Sequence, residues 1–331
     1  MKKIYIIVSH SNGEFDTLLP LLYELKNKYK IKVKILVAVE KIYKQIINNK
    51  FILDTLKLLD IKLKFCKSYN KFDYSTKNNF FNKIIIQLLY IINNFDVFNY
   101  NYFWHETTNQ KNSTFLFRMV SLFLTKKIFI YHHGQSLNQT AILKNYNYNY
   151  NNNNIYLAFS NSNIEWAKSL GFSKIKVIGF SKFYLNWINY IRKYSDNFIK
   201  NKKYVVIFSR SYDHPYYMNL NKYKYLLKTA HEKISKLLPD HEILIKPHPR
   251  EDVSKILDII KKLSLNNIKI TNEHSMVISA KAKFTVSFWS SAILDSLSLN
   301  VPSIEYYIED DQFKKVEPLG SLYRKNGIVS V

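Results

Sequence analysis

Glu242-Ile243-Leu244-Ile245-Lys246-Pro247-His248-Pro249-Arg250 opens the stretch that decides the fold, and Phe284-Thr285-Val286-Ser287-Phe288-Trp289-Ser290-Ser291-Ala292-Ile293-Leu294-Asp295 closes it. Each half is a short apolar run that ends in polar residues, which is how a parallel strand covered on both faces reads. Pro247 and Pro249 stop regular structure and fix the backbone on either side of His248. Ser290 or Ser291 is placed to N-cap a helix that begins near Ala292. The spacing predicts two strand ends at one cleft. One presents an imidazole flanked by Lys246 and Arg250; the other presents hydroxyls and free backbone N–H groups, a combination that suits a phosphate. Taken singly, a His beside prolines is an ordinary turn and a Ser pair an ordinary cap. Their joint placement in a strand–helix–strand pattern points to a ligand at the carboxyl ends of parallel strands.

The His-Pro and Ser-Ser pair resembles the nucleotide-binding signature of GT-B-type transferases that build bacterial surface polymers. Bacterial sialyltransferases, capsule Kdo-transferases and the CDP-glycerol glycerophosphotransferases of teichoic acid synthesis carry it. The run Leu297-Ser298-Leu299-Asn300-Val301-Pro302-Ser303-Ile304-Glu305-Tyr306 is similar to the same families. The resemblance implies an α/β fold of two Rossmann-like domains facing a central cleft, the GT-B arrangement. His248 and Pro249 with Ser290 and Ser291 would then meet the phosphate of a CMP or CDP donor. It covers roughly residues 127–306 in motif order; the first 126 residues match in pattern and in one short loop.

The chain has 331 residues, 47% of them hydrophobic, which suits two domains better than one. A formal net charge of +24 implies an anionic partner: nucleic acid, a membrane surface or a charged substrate. A Lys- and Asn-rich composition bias accounts for it equally well. The lysines are dispersed, which argues against a nucleic-acid arm. With 26 Tyr and 22 Phe, basic and aromatic residues together suit a membrane interface or a sugar-binding surface, and also many cores. Cys66 is the single cysteine, so the chain can build no internal disulfide and no Cys-based metal site. That composition fits the cytoplasm, with peripheral contact at the inner face of the plasma membrane as an expectation. No apolar run reaches the ~18 residues of a membrane-spanning helix; Ile84 to Ile92 and Phe115 to Leu124 come nearest.

Ile4 to Val8 reads as the first strand, Glu14 to Lys28 as a helix with apolar residues at helical spacing, and Ile31 to Val39 as the second strand. The resulting β-α-β start puts the first turn at the carboxyl edge of a parallel sheet. The Ser-Asn-Gly-Glu of residues 11–14 is similar to the loop of lipid A Kdo-transferases, where a Gly-Glu pair supplies the base. By that likeness Glu14 takes a proton from the acceptor hydroxyl; otherwise it is a helix-dipole carboxylate. Tyr102 to Glu106 reads as a further strand end, with little to assign His105 and Glu106 a role. A helix is expected over Ser113 to Leu124 and a strand over Lys127 to Tyr131, ending in His132-His133-Gly134. Gly134 permits a sharp turn that leaves His133 at the strand tip. This element resembles the His-Gly of the CDP-glycerol transferases, which makes His133 a base or a donor-phosphate contact and Gly134 part of the donor site.

Lys144 to Asn154 is a Tyr-Asn run that reads as a surface loop. Ser160 is expected to cap a helix running through Ser169. The organisation expected is a first domain over 1–181, a crossover over 182–203, and a second domain over 204–331. In the second, Ser209-Arg210-Ser211 follows the strand Tyr204 to Phe208, and Arg210 is a phosphate candidate or an ordinary surface arginine. By the GT-B resemblance Glu305 lies near the donor ribose. No helix that crosses back to the first domain is evident near the end of the sequence.

The function expected is transfer of a sugar from a cytidine nucleotide, a CMP-activated keto sugar ahead of a CDP-polyol, to a surface glycan or lipid-linked acceptor. His248, Ser290 and Ser291 hold the phosphate, Lys246, Arg250 and Arg210 add positive charge, and Glu14 or His133 is the base. No cofactor and no metal are required, and nucleic acid is not the expected partner. The alternatives are a UDP-sugar epimerase of similar fold, which needs more carboxylates than the sequence places, and a basic membrane- or nucleic-acid-binding protein.

Overall fold

The computed structural model describes residues 1–8, 13–37, 39–65, 94–106, 127–132, 154–198, 203–212, 218–249, 251–316, 320–325 and 329–330. The chain divides into two compact units, with the border between Tyr184 and Leu185.

In the first unit the strands are β1 (Lys2–Val8), β2 (Ile31–Val37), β3 (Lys62–Phe65), β4 (Tyr102–Glu106), β5 (Lys127–Tyr131), β6 (Asn154–Ala158) and β7 (Lys174–Val177). Among the described residues they form one sheet in the order β3-β2-β1-β4-β5-β6-β7, and every pairing is parallel. The second unit holds β8 (Tyr204–Phe208), β9 (Glu242–Lys246), β10 (Ile268–Ile270), β11 (Thr285–Ser287), β12 (Ser303–Glu305) and β13 (Val329–Ser330). They lie in the order β10-β9-β8-β11-β12-β13, again all parallel.

Both sheets follow one rule. The chain steps outward for three strands, returns to the middle, and steps outward on the other side. The order reverses between β1 and β4 in one sheet and between β8 and β11 in the other. In open parallel sheets that reversal leaves a crevice at the carboxyl ends of the two middle strands, and ligands bind there.

The middle strands are apolar because helices cover both faces. All five residues of β8 are buried, as are Ile4 to Val8 of β1. The first core joins Tyr5, Phe103, Ile130, Tyr156 and Trp166. The second joins Val205, Ile207, Tyr223, Leu226, Ile243 and Phe288.

The 182–203 segment contains the helix Leu185–Phe198, which packs as part of the second unit. Its buried Trp187 donates to Met276 Sδ at 3.3 Å and Ser195 to the Val277 carbonyl at 3.0 Å. Among the described residues no helix is long and apolar enough to cross a membrane.

Two local expectations need correction. Ser160 does not cap the Ser162–Ser169 helix: its N–H and hydroxyl both donate to Asn163 Oδ1 at 3.1 Å, and the Asn163 N–H goes to the Ser160 backbone carbonyl at 3.1 Å. Asn154 opens β6 and is buried, so it does not belong to the Tyr-Asn loop. The Ser275–Ser279 helix is capped by His274, whose ring accepts from the Met276 N–H. The helix expected over Ser113 to Leu124, the apolar run Ile84 to Ile92 and most of the Tyr-Asn run lie outside the described residues.

Candidate functional site

In the second unit the tips of β9, β8 and β11 lie side by side. The register pairs Phe208 with Lys246 on one side and with Ser287 on the other. Two residues further along, the three tips carry His248, Arg210 and Trp289, followed by Ser290 and Ser291. Neighbouring strands are about 4.8 Å apart, so the outer tips are separated by about 10 Å, with the Arg210 tip between them.

The β9 tip is a loop bonded at both ends. The Ser209 N–H donates to the Lys246 carbonyl at 3.1 Å, and the Glu251 N–H donates to the His248 carbonyl at 2.8 Å. His248 is half-buried and Pro249 exposed. Lys246 sends its ammonium to the Asn272 carbonyl at 3.1 Å, toward β10. Arg250 lies outside the described residues.

The Arg210 guanidinium stacks over the Trp289 ring, 5.2 Å from its centroid. Trp289 has φ of 54°, left-handed backbone that a bulky residue adopts at a cost of about 1–3 kcal/mol. That conformation sets the indole under the arginine at the tip of β11.

The turn after Trp289 is braced by hydroxyls. Ser287 Oγ donates to the Ser290 carbonyl at 2.9 Å and accepts the Ser290 N–H at 3.0 Å. Ser290 is buried and Ser291 exposed. The helix here is short, Ile293–Leu297, and its cap position is Ala292, with no side-chain cap. The expected Ser cap is therefore displaced: Ser290 Oγ accepts from the Ala292 N–H at 3.4 Å, one residue before the helix.

Glu305 is not at the open tip. It is buried, accepts the Ser321 hydroxyl, and through Ser321 Oγ is tied to the Tyr323 N–H at 3.2 Å. Beyond it a groove of about 440 Å³ opens, lined by Tyr225, Leu226, Tyr306, Tyr307 and Ile308. The Tyr306 hydroxyl is fixed to Thr229 Oγ1 at 2.7 Å.

In the first unit a second group of polar residues gathers where the strand order reverses. Glu14 opens the helix after β1 and is fully buried. The Tyr131 hydroxyl donates to Glu14 Oε2 at 3.4 Å. Glu106, at the end of β4, is also fully buried, and His132 Nδ1 lies 3.5 Å from its Oε1. His132 packs edge-on to Trp166. Burial pushes the Tyr131 phenol well above its usual range, with Glu14 and then Glu106 adding to the shift. His105 is buried and burial lowers it to about 4; its Nδ1 bonds the Glu106 carbonyl at 2.8 Å. His133 and Gly134 lie outside the described residues. Among the described residues no group of three or more His, Cys, Asp or Glu could hold a metal ion.

The fold thus brings His248, Arg210, Ser290 and Ser291 to adjacent tips, turns Lys246 aside, and buries Glu305. The sequence reading missed four participants. Trp289 gave no signal, because a left-handed tryptophan cannot be read from its neighbours. The Glu106–His132 pair required knowing that β4 and β5 are adjacent. Glu251 precedes the Asp252 cap of the next helix, so nothing in the local sequence marked its carboxylate as turning back to the His248 N–H.

A family model for alpha-2,8-polysialyltransferase matches residues 179–304, the segment that carries the three tips. No curated protein matches the sequence. Among solved structures, the UDP-GlcNAc 2-epimerase of Methanocaldococcus jannaschii is similar at TM-score 0.58 and 14% identity, covering 99% of this chain and 88% of that one. The UDP-GlcNAc 2-epimerase of Neisseria meningitidis, bound to UDP-GlcNAc, is similar at TM-score 0.53 and 14% identity, with coverage of 100% and 87%. The E. coli heptosyltransferase WaaC, with ADP-2-deoxy-2-fluoro heptose, aligns at TM-score 0.48 and 13% identity over 93% and 90%. Two all-parallel α/β units with these likenesses make the fold GT-B.

Proposed function

We propose that the chain is a metal-independent glycosyltransferase that moves a sugar from a cytidine nucleotide to a glycan or lipid-linked acceptor. One observation carries this reading: His248, Arg210 and Ser290 occupy adjacent tips where the second sheet reverses, inside the segment that matches the polysialyltransferase model. Phosphate neutralisation is assigned to His248 and Arg210, and hydrogen bonding to the hydroxyls of Ser290 and Ser291. The aromatic groove beyond Glu305 is assigned to the nucleoside. Glu14 or His133 takes the acceptor proton. The acceptor oxygen then bonds the anomeric carbon, and the nucleotide leaves with the electron pair of the broken C–O bond. Net charge of +24 fits an anionic donor or acceptor and contact with an anionic membrane surface. The CMP-activated keto sugar is favoured over a CDP-polyol, because the family likeness is to sialic-acid transfer.

The buried Glu14, Glu106 and His132 favour a second reading, a sugar-nucleotide epimerase, by supplying acids and bases the sequence had not placed together. Thermal-shift measurements against CMP, CDP, UDP and GDP test the first reading. It expects a cytidine-selective rise that is lost in His248→Ala. A rise confined to UDP, unaffected by that substitution, refutes it in favour of the epimerase.

A further inference from the structure

Glu251 is bound to the His248 loop in a way that packing does not require. The Glu251 N–H donates to the His248 carbonyl, and the His248 N–H donates back to Glu251 Oε2. The same oxygen accepts the Ser209 hydroxyl from the neighbouring β8 tip. One carboxylate oxygen therefore joins two of the three tips. Beside Ser209, Arg210 is close enough for its charge to act on Glu251, and it reaches over Trp289 on the third tip. The helix Val253–Lys262 does not depend on Glu251, since Asp252 caps it by accepting from the Ser254 N–H at 2.9 Å.

The other oxygen, Oε1, is buried and accepts no hydrogen bond among the described residues. Burial pushes the Glu251 carboxyl above its usual range, against the pull of Ser209, the His248 N–H and Arg210. A half-satisfied buried carboxylate destabilises a fold, whereas an apolar replacement of the whole interaction is nearly neutral. Its presence calls for a role other than stability.

We propose that Glu251 is the positioning residue of the phosphate site. It locks the His248 backbone to the Ser209–Arg210 tip so that imidazole and guanidinium converge on one phosphate. This rests on the nucleotide-transfer reading. Glu251 does not touch the phosphate itself, because like charges repel; its effect passes through His248 and Arg210.

Calorimetric titration of the full chain with CMP against cytidine, and with UMP against uridine, tests this. The ratio of nucleoside to nucleotide Kd measures what the phosphate adds. In Glu251→Ala that ratio should fall about tenfold or more, the scale of one charge-assisted contact, while the nucleoside Kd stays unchanged. Glu251→Gln keeps an acceptor for both donors and should restore most of the ratio. Ser209→Ala removes half the clamp and should fall in between. A purely structural role would lower the melting temperature and leave the ratio intact, which overturns the proposal. If Glu251→Ala does not fold, Ser209→Ala with an unchanged ratio also overturns it. Wild-type protein that binds neither nucleotide overturns both this proposal and the functional reading. Wild-type binding with a ratio indifferent to Glu251 and Ser209 overturns this one alone.

Discussion

His105 makes a prediction whose size follows from its surroundings. It sits on β4, fully enclosed, and burial lowers it from 6.5 to about 4. The folded chain therefore keeps the ring neutral, with Nδ1–H donating to the Glu106 carbonyl at 2.8 Å. In the unfolded chain the ring titrates normally. Between pH 6.5 and 4 the unfolded state binds a proton that the folded state refuses. Stability present above pH 6.5 is thus lost as pH falls. A difference of about 2.5 units corresponds to about 3 kcal/mol in full, and about 2 kcal/mol of it is gone by pH 5.

The assay is urea unfolding at pH 7.5, 6 and 5, read by hydrogen exchange in the β4 and β5 peptides so that the first unit is followed separately. His105→Gln keeps a donor for the Glu106 carbonyl and removes the titration. Its absolute stability is expected to drop, since the cavity is shaped for a ring. What matters is the slope: the wild type should lose about 2 kcal/mol more than the variant between pH 7.5 and 5. Equal losses, within about 0.5 kcal/mol, the size of ordinary surface effects, would refute the claim that the folded state excludes a charged His105. The result bears on function because His105 holds the peptide that presents Glu106 to His132.

Other substitutions probe the second unit. Thr285→Val breaks a buried chain in which Thr285 Oγ1 meets Ser296 Oγ at 3.0 Å and Ser303 Oγ at 2.8 Å, and should cost about 1–3 kcal/mol by denaturation. Trp289→Ala frees the Arg210 guanidinium and removes packing on Phe313, so nucleotide affinity should fall several-fold in a titration and melting temperature should fall with it. Arg210→Lys should behave like the alanine variant in that titration, because an ammonium neither stacks on indole in the same way nor forks to a phosphate. Tyr131→Phe removes a donor from buried Glu14 and should destabilise the first unit by about 1–2 kcal/mol, seen as faster exchange in β5.

Strand identity was legible wherever a strand is buried on both faces. Ile4 to Val8 and Tyr204 to Phe208 are unbroken apolar runs because neither face meets water, while Glu242 to Lys246 keeps an apolar centre, Ile243 to Ile245, between charged ends. The phosphate candidates were legible for a related reason: prolines and serines directly after such a run mark the place where the chain leaves the sheet. Pairings across strands were not legible. Nothing in the local sequence around Glu106 says that Tyr131 and His132 lie on the next strand, or that Glu14 follows the strand on its other side. Caps failed at Ser160 and Ser290 because the N–H groups they were expected to take, those of Asn163 and Ile293, donate instead to the Ser160 and Ser290 backbone carbonyls, which propensity alone does not reveal. The burial of Glu305 was not legible, since Ser321, whose hydroxyl it accepts, is distant in sequence.

The two sheets share a strand order yet differ in what they place at its reversal. In the first, the reversal gathers buried acids: Glu14 after β1 and Glu106 at the end of β4, with a phenol and an imidazole as their partners. In the second it gathers a guanidinium, hydroxyls and a half-buried imidazole, with an acid, Glu251, facing backbone and hydroxyl donors. Buried carboxylates suit accepting a proton; clustered cations and hydroxyls suit holding a leaving phosphate. The transfer proposed above would assign the acceptor proton to the first set and the departing nucleotide to the second, whereas the epimerase reading would draw on the first set, so variants in each unit separate the two.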